Sequence, residues 1–359
     1  MNLPIVNVDD YLKGKDISSL SKIASDSLCL YGILILRDTR VTIKDHEPFL
    51  NMMEEYFEQC DFQKDARPEY SYQVGVTPER QEQSKNHCTQ VQTFDLNNRP
   101  VTLCPPKLDL KCRFFWRIGS RPEKTSFQEL NASPVLPLHF PKWEPIMNTW
   151  GSKMMDALKA CVEMVAIGLE LEKDTFSKLM INGPHLLAPT GSNFNIHQKE
   201  KDVLAAYHYG TNLQVVFFAS FYLNIMIDLN LLTIHGKSRF PGLFIWLRDG
   251  TRVAVKIPDG CLLVQAGKQM EYLTGGAIEA GFHEVIISND TLKTIELKTE
   301  KKESLWRVSS TLFSHTASDM LLQPLGKYAT AESCAKYPPI LAGDQVRLEL
   351  AHLNLGKSP

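Results

Sequence analysis

Short strands separated by glycine turns dominate the chain after about residue 185, and they limit the folds that it can adopt. Residues 243–257 predict a hairpin, because the pair Asp249-Gly250 favours a tight turn between two β-strands. Pro258-Asp259-Gly260 then turns the chain into another apolar run. Repeated short strands of this kind are typical of two-layered or closed β structures. We therefore predict a mainly β fold with added helices, a double-stranded β-helix (jelly roll).

Helical patterns flank the predicted barrel on both sides. Apolar residues recur at helical spacing in five segments, and a buried strand is predicted at residues 32–37. The predicted helices are residues 17–28, 45–59, 141–171, 175–180 and 344–353.

Four polar residues follow one another in an order that suggests one site. Asp228 precedes an apolar strand, and His283 lies 55 positions after Asp228. A carboxylate and an imidazole are two of the three ligands in the facial triad that binds non-haem iron. Arg307 and Ser309 alternate with apolar residues on a predicted strand, so both face one side of it. There a guanidinium and a hydroxyl can bind one carboxylate together.

This order resembles the isopenicillin-N-synthase-like iron(II)/2-oxoglutarate-dependent dioxygenases, in which a His-x-Asp pair precedes a distal His and an Arg-x-Ser pair. The resemblance implies that Asp228 and His283 ligate iron, and that Arg307 and Ser309 bind the cosubstrate. It implies Fe(2+) as cofactor, 2-oxoglutarate as cosubstrate and ascorbate as a further candidate. It also implies three regions, which are an N-terminal α/β region that packs on the barrel (1–180), the jelly-roll dioxygenase domain (181–325) and a C-terminal helical extension (326–359).

One ligand of that pattern is missing, because Met226 stands where the proximal His of His-x-Asp is expected. A thioether is a soft ligand that suits copper(I) better than iron(II), so a direct replacement should weaken iron binding. Alternatively, residues 222–227 are an insertion or an altered stretch of the transcript that displaced a histidine. The apolar run 215–227 is long for one strand, which favours this second interpretation.

In a third interpretation another histidine takes the vacant place. His208 is one candidate, although its plainest interpretation is a loop histidine. His235 is the other, but a straight strand would place it roughly 20 Å or more from Asp228. The three interpretations remain open from the sequence.

Two other segments depart from the family pattern. Its upstream Asn-x-Tyr, which helps to bind the cosubstrate, has no clear match in residues 187–192. The charged residues 296–303 predict a surface insertion between strands. Loops within residues 65–112, together with residues 114–119, are candidates for substrate contact.

Composition excludes several other classes. The chain of 359 residues has 39 basic and 41 acidic side chains without a basic run, so we expect no nucleic-acid partner. Its eight cysteines are scattered without a C-x-x-C pair, which predicts neither a zinc site nor a disulfide framework. The start of the sequence lacks the pattern of a secretory signal, which favours the cytoplasm. Residues 213–227 are apolar but too short to span a bilayer, so we expect a buried strand pair and no membrane partner.

Two functional hypotheses follow from these observations. The first is an iron(II)- and 2-oxoglutarate-dependent oxidoreductase that acts on an unidentified small molecule. The second is a catalytically impaired pseudoenzyme or binding protein of the same fold. The sequence leaves the substrate and the oligomeric state open.

Overall fold

The computed structural model describes residues 3–84, 87–208 and 229–352. Met226, Asp228 and the apolar run 213–227 lie outside the described residues. The strands of the described part are β1 (Ile5–Asn7), β2 (Ile33–Arg37), β3 (Gly75–Thr77), β4 (Cys112–Arg117), β5 (Leu186–Leu187), β6 (Thr190–Asn193), β7 (Val203–His208), β8 (Leu232–Gly236), β9 (Leu243–Trp246), β10 (Arg252–Ala254), β11 (Cys261–Ala266), β12 (Phe282–Ile286), β13 (Trp306–Ser314), β14 (Leu321–Leu322) and β15 (Ile340–Leu341).

The helices confirm the segments predicted from helical spacing, with small differences at their ends. They are α1 (Val8–Leu12), α2 (Ile17–Tyr31), α3 (Ile43–Gln59), α4 (Phe62–Asp65), α5 (Cys88–Val91), α6 (Trp143–Gly168), α7 (Thr175–Leu179), α8 (Lys268–Leu273), α9 (Asn289–Glu300), α10 (Ala331–Lys336) and α11 (Ala342–His352). The charged stretch 296–303 does lie between two strands, but its first part is the end of α9, which Ser288 caps at its start.

Two sheets of unequal size form most of the β part of the described chain. The larger has the strand order β1-β2-β11-β8-β13-β5-β4-β3, with β6 paired to both β13 and β4, and the smaller has the order β10-β9-β12-β7. The predicted hairpin is confirmed, since β9 and β10 are antiparallel neighbours and Gly250 adopts a positive φ of 82° in their turn. The architecture is therefore mixed helix and sheet, and strands from the first 180 residues pair within the larger sheet.

Helix α6 supports the larger sheet from one side. Its apolar residues recur every three or four positions and are buried, as a helix packed on a core requires. The indole Nε1 of Trp150 donates a hydrogen bond of 2.5 Å to Ser310 Oγ, which ties α6 to the middle of β13. The same indole stacks on the His46 ring of α3, with 4.3 Å between ring centroids. These contacts fix the position of β13 relative to α6 and α3.

Cysteine pairing departs from the sequence prediction. Cys88 and Cys104 form a disulfide with 5.4 Å between their Cα atoms, a single bond that the scattered cysteines did not predict. Their separation of 16 residues follows no recognisable motif, and only the folding of the intervening loop brings them together. Among the described residues, no helix has the length and apolar character needed to cross a membrane.

Two buried histidines join the end of β13 to the loop before β5. The Nε2 of His185 donates to Met180 O at 2.9 Å, and its Nδ1 accepts the backbone N–H of His315 at 3.0 Å. This pattern requires a neutral His185 ring. Burial, together with the nearby Arg117 cation, lowers the pKa of His185 to about 4 and that of His315 to about 3.

We expect acid to destabilise the fold through this pair. Both pKa values lie below the unfolded value of about 6.5, so the unfolded chain binds more protons and stability falls as pH drops from about 6.5 towards 3. Each group can contribute a slope of up to about 1.4 kcal/mol per pH unit. Urea unfolding at pH 7.5, 6.0 and 5.0 measures this loss. His185→Gln should be less stable at pH 7.5 but should lose less on acidification, and an unchanged slope would contradict this account.

Candidate metal and carboxylate site

A pocket lies between the two sheets, and strand register determines which side chains line it. In the larger sheet, Thr190 of β6 is paired with Arg113 of β4 on one side and with Ser309 of β13 on the other. Ser192 of β6 is paired with Arg307 of β13. Residues directly opposite in antiparallel strands share a face. The five side chains therefore form one polar floor, and all of them line the pocket.

The backbone of this floor is held from behind by a glycine. Gly191 lies between Thr190 and Ser192 and packs on the Phe57 ring of α3. A Cβ atom at Gly191 would lie 2.6 Å from Phe57 Cδ2, which is closer than carbon atoms approach each other. Glycine is therefore required at this position for β6 and α3 to pack as they do.

Two paired histidines of the smaller sheet form the opposite wall, and a third histidine lies on β8 of the larger sheet. His283 of β12 is paired directly with His208 of β7, and their ring centroids lie 4.1 Å apart. His208 Nδ1 donates to Ala206 O at 2.5 Å, which directs its Nε2 away from its own backbone. His235 of β8 lies 6.3 Å from His283 between ring centroids, and its Nδ1 is 3.1 Å from Thr311 Oγ1. All three histidines line the pocket that Arg307 and Ser309 enter.

The paired histidines are held in their neutral form. Burial, together with the cations Lys111 and Arg113, lowers the pKa of His283 to about 3. Burial also lowers the pKa of His208 well below its usual value, with further contributions from His283 and Lys111. Neutral imidazole is the form that ligates metals. Both rings therefore have the protonation state that a metal site needs.

Arg307 is buried, with 5% of its surface exposed, and its only described polar contact is weak. Its Nε donates to Pro241 O at 3.4 Å. Burial lowers its pKa to about 10, so it remains a cation at neutral pH. Within residues 3–84, 87–208 and 229–352, no carboxylate pairs with it. A buried guanidinium without a counter-charge is costly, so this side chain is suited to binding an anion from outside the protein.

The structure brings together three of the four residues predicted from the pattern. His283, Arg307 and Ser309 meet in one pocket, whereas Asp228 lies outside the described residues. The interpretation of His208 as a loop histidine was wrong, because it ends strand β7 and is buried. Among the described residues, no three His, Cys, Asp or Glu side chains are grouped closely enough to hold a metal ion.

Sequence reasoning missed several lining residues. Lys111 and Arg113 line the pocket; Lys111 falls within residues 65–112, whose loops were candidates for substrate contact, whereas Arg113 lies between that range and residues 114–119 and was missed. Thr190 and Ser192 occupy the region where Asn-x-Tyr was sought, and their alternation about Gly191 was the available signal.

A buried carboxylate beside His283 holds the neighbouring loop. Glu284 is fully buried and accepts the backbone N–H groups of Val101 and Thr102 and the Thr102 hydroxyl, at 3.1 to 3.3 Å. It also accepts a hydrogen bond of 2.7 Å from Arg252. The Thr102 hydroxyl oxygen in turn accepts the N–H of Tyr207 at 2.7 Å. Glu284 therefore links β12 to β7 beside the two paired histidines.

Solved structures of similar fold are known. A 2OG-Fe(II) oxygenase family protein from Caulobacter crescentus aligns with a TM-score of 0.72 and 20% identity, over 97% of this chain and 98% of its own. A full-length Neurospora crassa protein, solved with alpha-KG and thymine, gives a TM-score of 0.69 and 16% identity over 97% and 96%. JOX2, solved with 2OG, Fe and JA, gives 0.65 and 16% over 100% and 90%. No family model matches the sequence, and no curated protein matches it closely enough to count as a relative.

These comparisons support the motif resemblance at the level of the overall fold. The protein has the fold of 2OG-Fe(II) oxygenase family proteins, and the similarity extends over nearly the whole chain.

Glu284→Ala should destabilise the protein by about 3 kcal/mol or more, because it leaves the Arg252 guanidinium and two buried N–H groups without their acceptor. Glu284→Gln keeps the shape and one acceptor oxygen and should cost less. Urea unfolding of both variants measures the difference. Equal stability of Glu284→Ala and the parent chain would show that the loop is held by other contacts.

Proposed function

We propose that the protein is an iron(II)- and 2-oxoglutarate-dependent oxygenase that oxidises a small molecule. The observation that carries this proposal is that His208 and His283, paired on adjacent strands of the smaller sheet, line the same pocket as Arg307 and Ser309 of the larger sheet. The names of the structural neighbours support the same class. The two sheets then correspond to the walls of a double-stranded β-helix.

The donor chemistry of the pocket fits this cofactor and cosubstrate. Two neutral imidazoles supply nitrogen ligands, which suit iron, and the third ligand of a facial triad is a carboxylate. Arg307 and Ser309 supply a guanidinium and a hydroxyl for the far carboxylate of 2-oxoglutarate. In this proposal His208 is the proximal ligand, His283 the distal ligand and Asp228 the carboxylate.

The sequence between His208 and Asp228 explains why the motif was not recognisable. Without the 18 residues 210–227, the chain reads His208-Tyr209-Asp228, which is a His-x-Asp pair. We infer that residues 210–227 interrupt this pair. They contain the long apolar run, and Met226 is then part of the interruption and not a ligand. The proposed insertion therefore begins upstream of residues 222–227 and includes them.

Each part of the pocket has a separate task in this proposal. Bound iron(II) supplies the oxygen-activating chemistry of the class. Arg307 neutralises the far carboxylate of the cosubstrate, and Ser309 orients it by donating a hydrogen bond. The apolar side chains of Leu204, Leu243 and Val285 line the pocket and exclude water from the histidine wall. His208, through its bond to Ala206 O, keeps one ring orientation for ligation.

The interruption also supports a second candidate function. With 18 residues between Tyr209 and Asp228, the carboxylate need not reach the two histidines, and the chain would then be a pseudoenzyme that retains a carboxylate-binding pocket. The two candidates differ in iron affinity and agree on 2-oxoglutarate binding through Arg307. Metal binding therefore discriminates between them.

Deleting residues 210–227 should create a complete iron site. Anaerobic titration with iron(II) and 2-oxoglutarate should give the metal-to-ligand charge-transfer band of the chelate. We expect iron affinity at least about tenfold above that of the unmodified chain, because one ligand is added. If the unmodified chain already gives an equally strong band, the site assembles despite the interruption.

Two variants of the deleted chain identify the proximal ligand. His208→Ala should abolish the band, whereas His235→Ala should retain it. A band that survives His208→Ala and disappears with His235→Ala would assign the ligand to His235. No band in a deleted chain that is folded by circular dichroism would refute the proposed iron site.

Arg307→Gln should weaken 2-oxoglutarate binding by about 10–100-fold, since it removes a charge-assisted contact to a carboxylate. Arg307→Lys keeps the charge but not the two-pronged geometry, so its affinity should lie between those of the parent chain and Arg307→Gln. Isothermal titration of 2-oxoglutarate into metal-free protein measures both variants. Unchanged affinity in Arg307→Gln would exclude this role.

A further inference from the structure

Two further cations, Lys111 and Arg113, line the pocket, and binding of the proposed cosubstrate does not explain their presence. Lys111 and Arg113 are two positions apart on or next to β4 and both line the pocket. Arg113 is separated from Ser309 by Thr190, so two strand spacings, roughly 10 Å, lie between their backbones. Arg307 and Arg113 therefore lie on different strands of one floor and can bind different anionic groups.

Lys111 and Arg113 differ in the number of carboxylates that they contact. Lys111 is 4% exposed and lies 3.0 Å from Glu82, and it also forms an ion pair with the buried Asp109. Arg113 shares Glu82, but at 3.4 Å, and its Nε is buried without a hydrogen-bond partner among the described residues. Lys111 is thus held by two carboxylates, whereas Arg113 retains donors for a ligand.

Aromatic contacts fix the position of Arg113. Its guanidinium carbon lies 5.4 Å from the Phe115 ring centroid and 5.6 Å from that of Phe313. Such contacts orient a planar guanidinium without using its N–H donors. Phe313 also lines the pocket, together with Leu204, Leu243 and Val285. A cation with remaining donors therefore borders an apolar surface, which suits a ligand with an anionic head and an apolar body.

We propose that Arg113 is a specificity residue that binds a carboxylate of the substrate, so that the substrate is a small organic acid with an apolar body. This rests on the proposed function for the assignment of Arg307 and Ser309 to the cosubstrate. Lys111 lies closer to Glu82 than Arg113 does and also pairs with Asp109, so Arg113 shares the Glu82 carboxylate with a second cation.

Binding of a matched acid and amide tests the proposal. Phenylacetate and phenylacetamide have nearly the same shape and differ in charge, and each is titrated calorimetrically into metal-free protein with excess 2-oxoglutarate. The acid should bind at least about tenfold more tightly than the amide, as expected for a charge-assisted contact. Arg113→Gln should reduce this ratio to near one. An unchanged ratio in Arg113→Gln, a ratio near one in the parent chain, or no saturable binding of the acid overturns the proposal.

A second arm separates this proposal from the proposed function. If 2-oxoglutarate does not bind, the acid and amide are compared in Arg307→Gln, where Arg113 is the remaining candidate for the carboxylate. Preference for the acid in Arg307→Gln, and its loss in the double variant with Arg113→Gln, supports Arg113 even when the cosubstrate assignment fails. An equal preference for the acid in Arg307→Gln and in the double variant overturns the assignment of Arg113.

Stability provides a readout that needs no ligand. Arg113→Met keeps the packing on Phe115 and Phe313 while removing the charge, so a residue kept for binding should be replaceable without loss of thermal stability. A clearly lowered melting temperature in Arg113→Met would show that Arg113 is retained for structure, and it would overturn the assignment.

Discussion

The pairing of β13 with its neighbouring strands β5, β6 and β8 is the constraint on which the rest of the site depends. The first half of β13 pairs with β6 and carries Arg307 and Ser309, and its second half pairs with β8, where Thr311 meets His235. A shift of one residue would turn every one of these side chains to the opposite face. Trp150 of α6 fixes the strand at Ser310, between the two halves, so helix packing also determines which groups enter the pocket.

The sequence predicted the helices and strands better than the contacts between them. The long amphipathic helices and the Asp-Gly hairpin follow local rules of spacing and turn chemistry, and both were predicted. The facing of His208 and His283 is a contact between strands distant in the chain, and no local pattern encodes it. For the same reason Arg113 was missed, because only the register of β4 against β6 places it on the same floor as Ser309.

The electrostatics of the pocket are arranged in two layers. Arg307 and Arg113 provide positive charge along the floor, while the neutral rings of His208 and His283 face them from the smaller sheet. The nearby cations Lys111 and Arg113 disfavour protonation of both imidazoles and so preserve their capacity as metal ligands. A ligand with two separate anionic groups, or two ligands with one each, would complete the charge balance of this cavity.

The contact of Gly191 with Phe57 has a consequence for how such a pocket can diversify. Because the backbone of β6 rests directly on an aromatic ring of α3, the strand cannot shift to accommodate new side chains. Positions 190 and 192 can nevertheless exchange hydroxyls for other groups without disturbing the helix behind them. The fold thus separates a fixed support from two adjustable positions, and changes of ligand preference can accumulate there at little cost to folding.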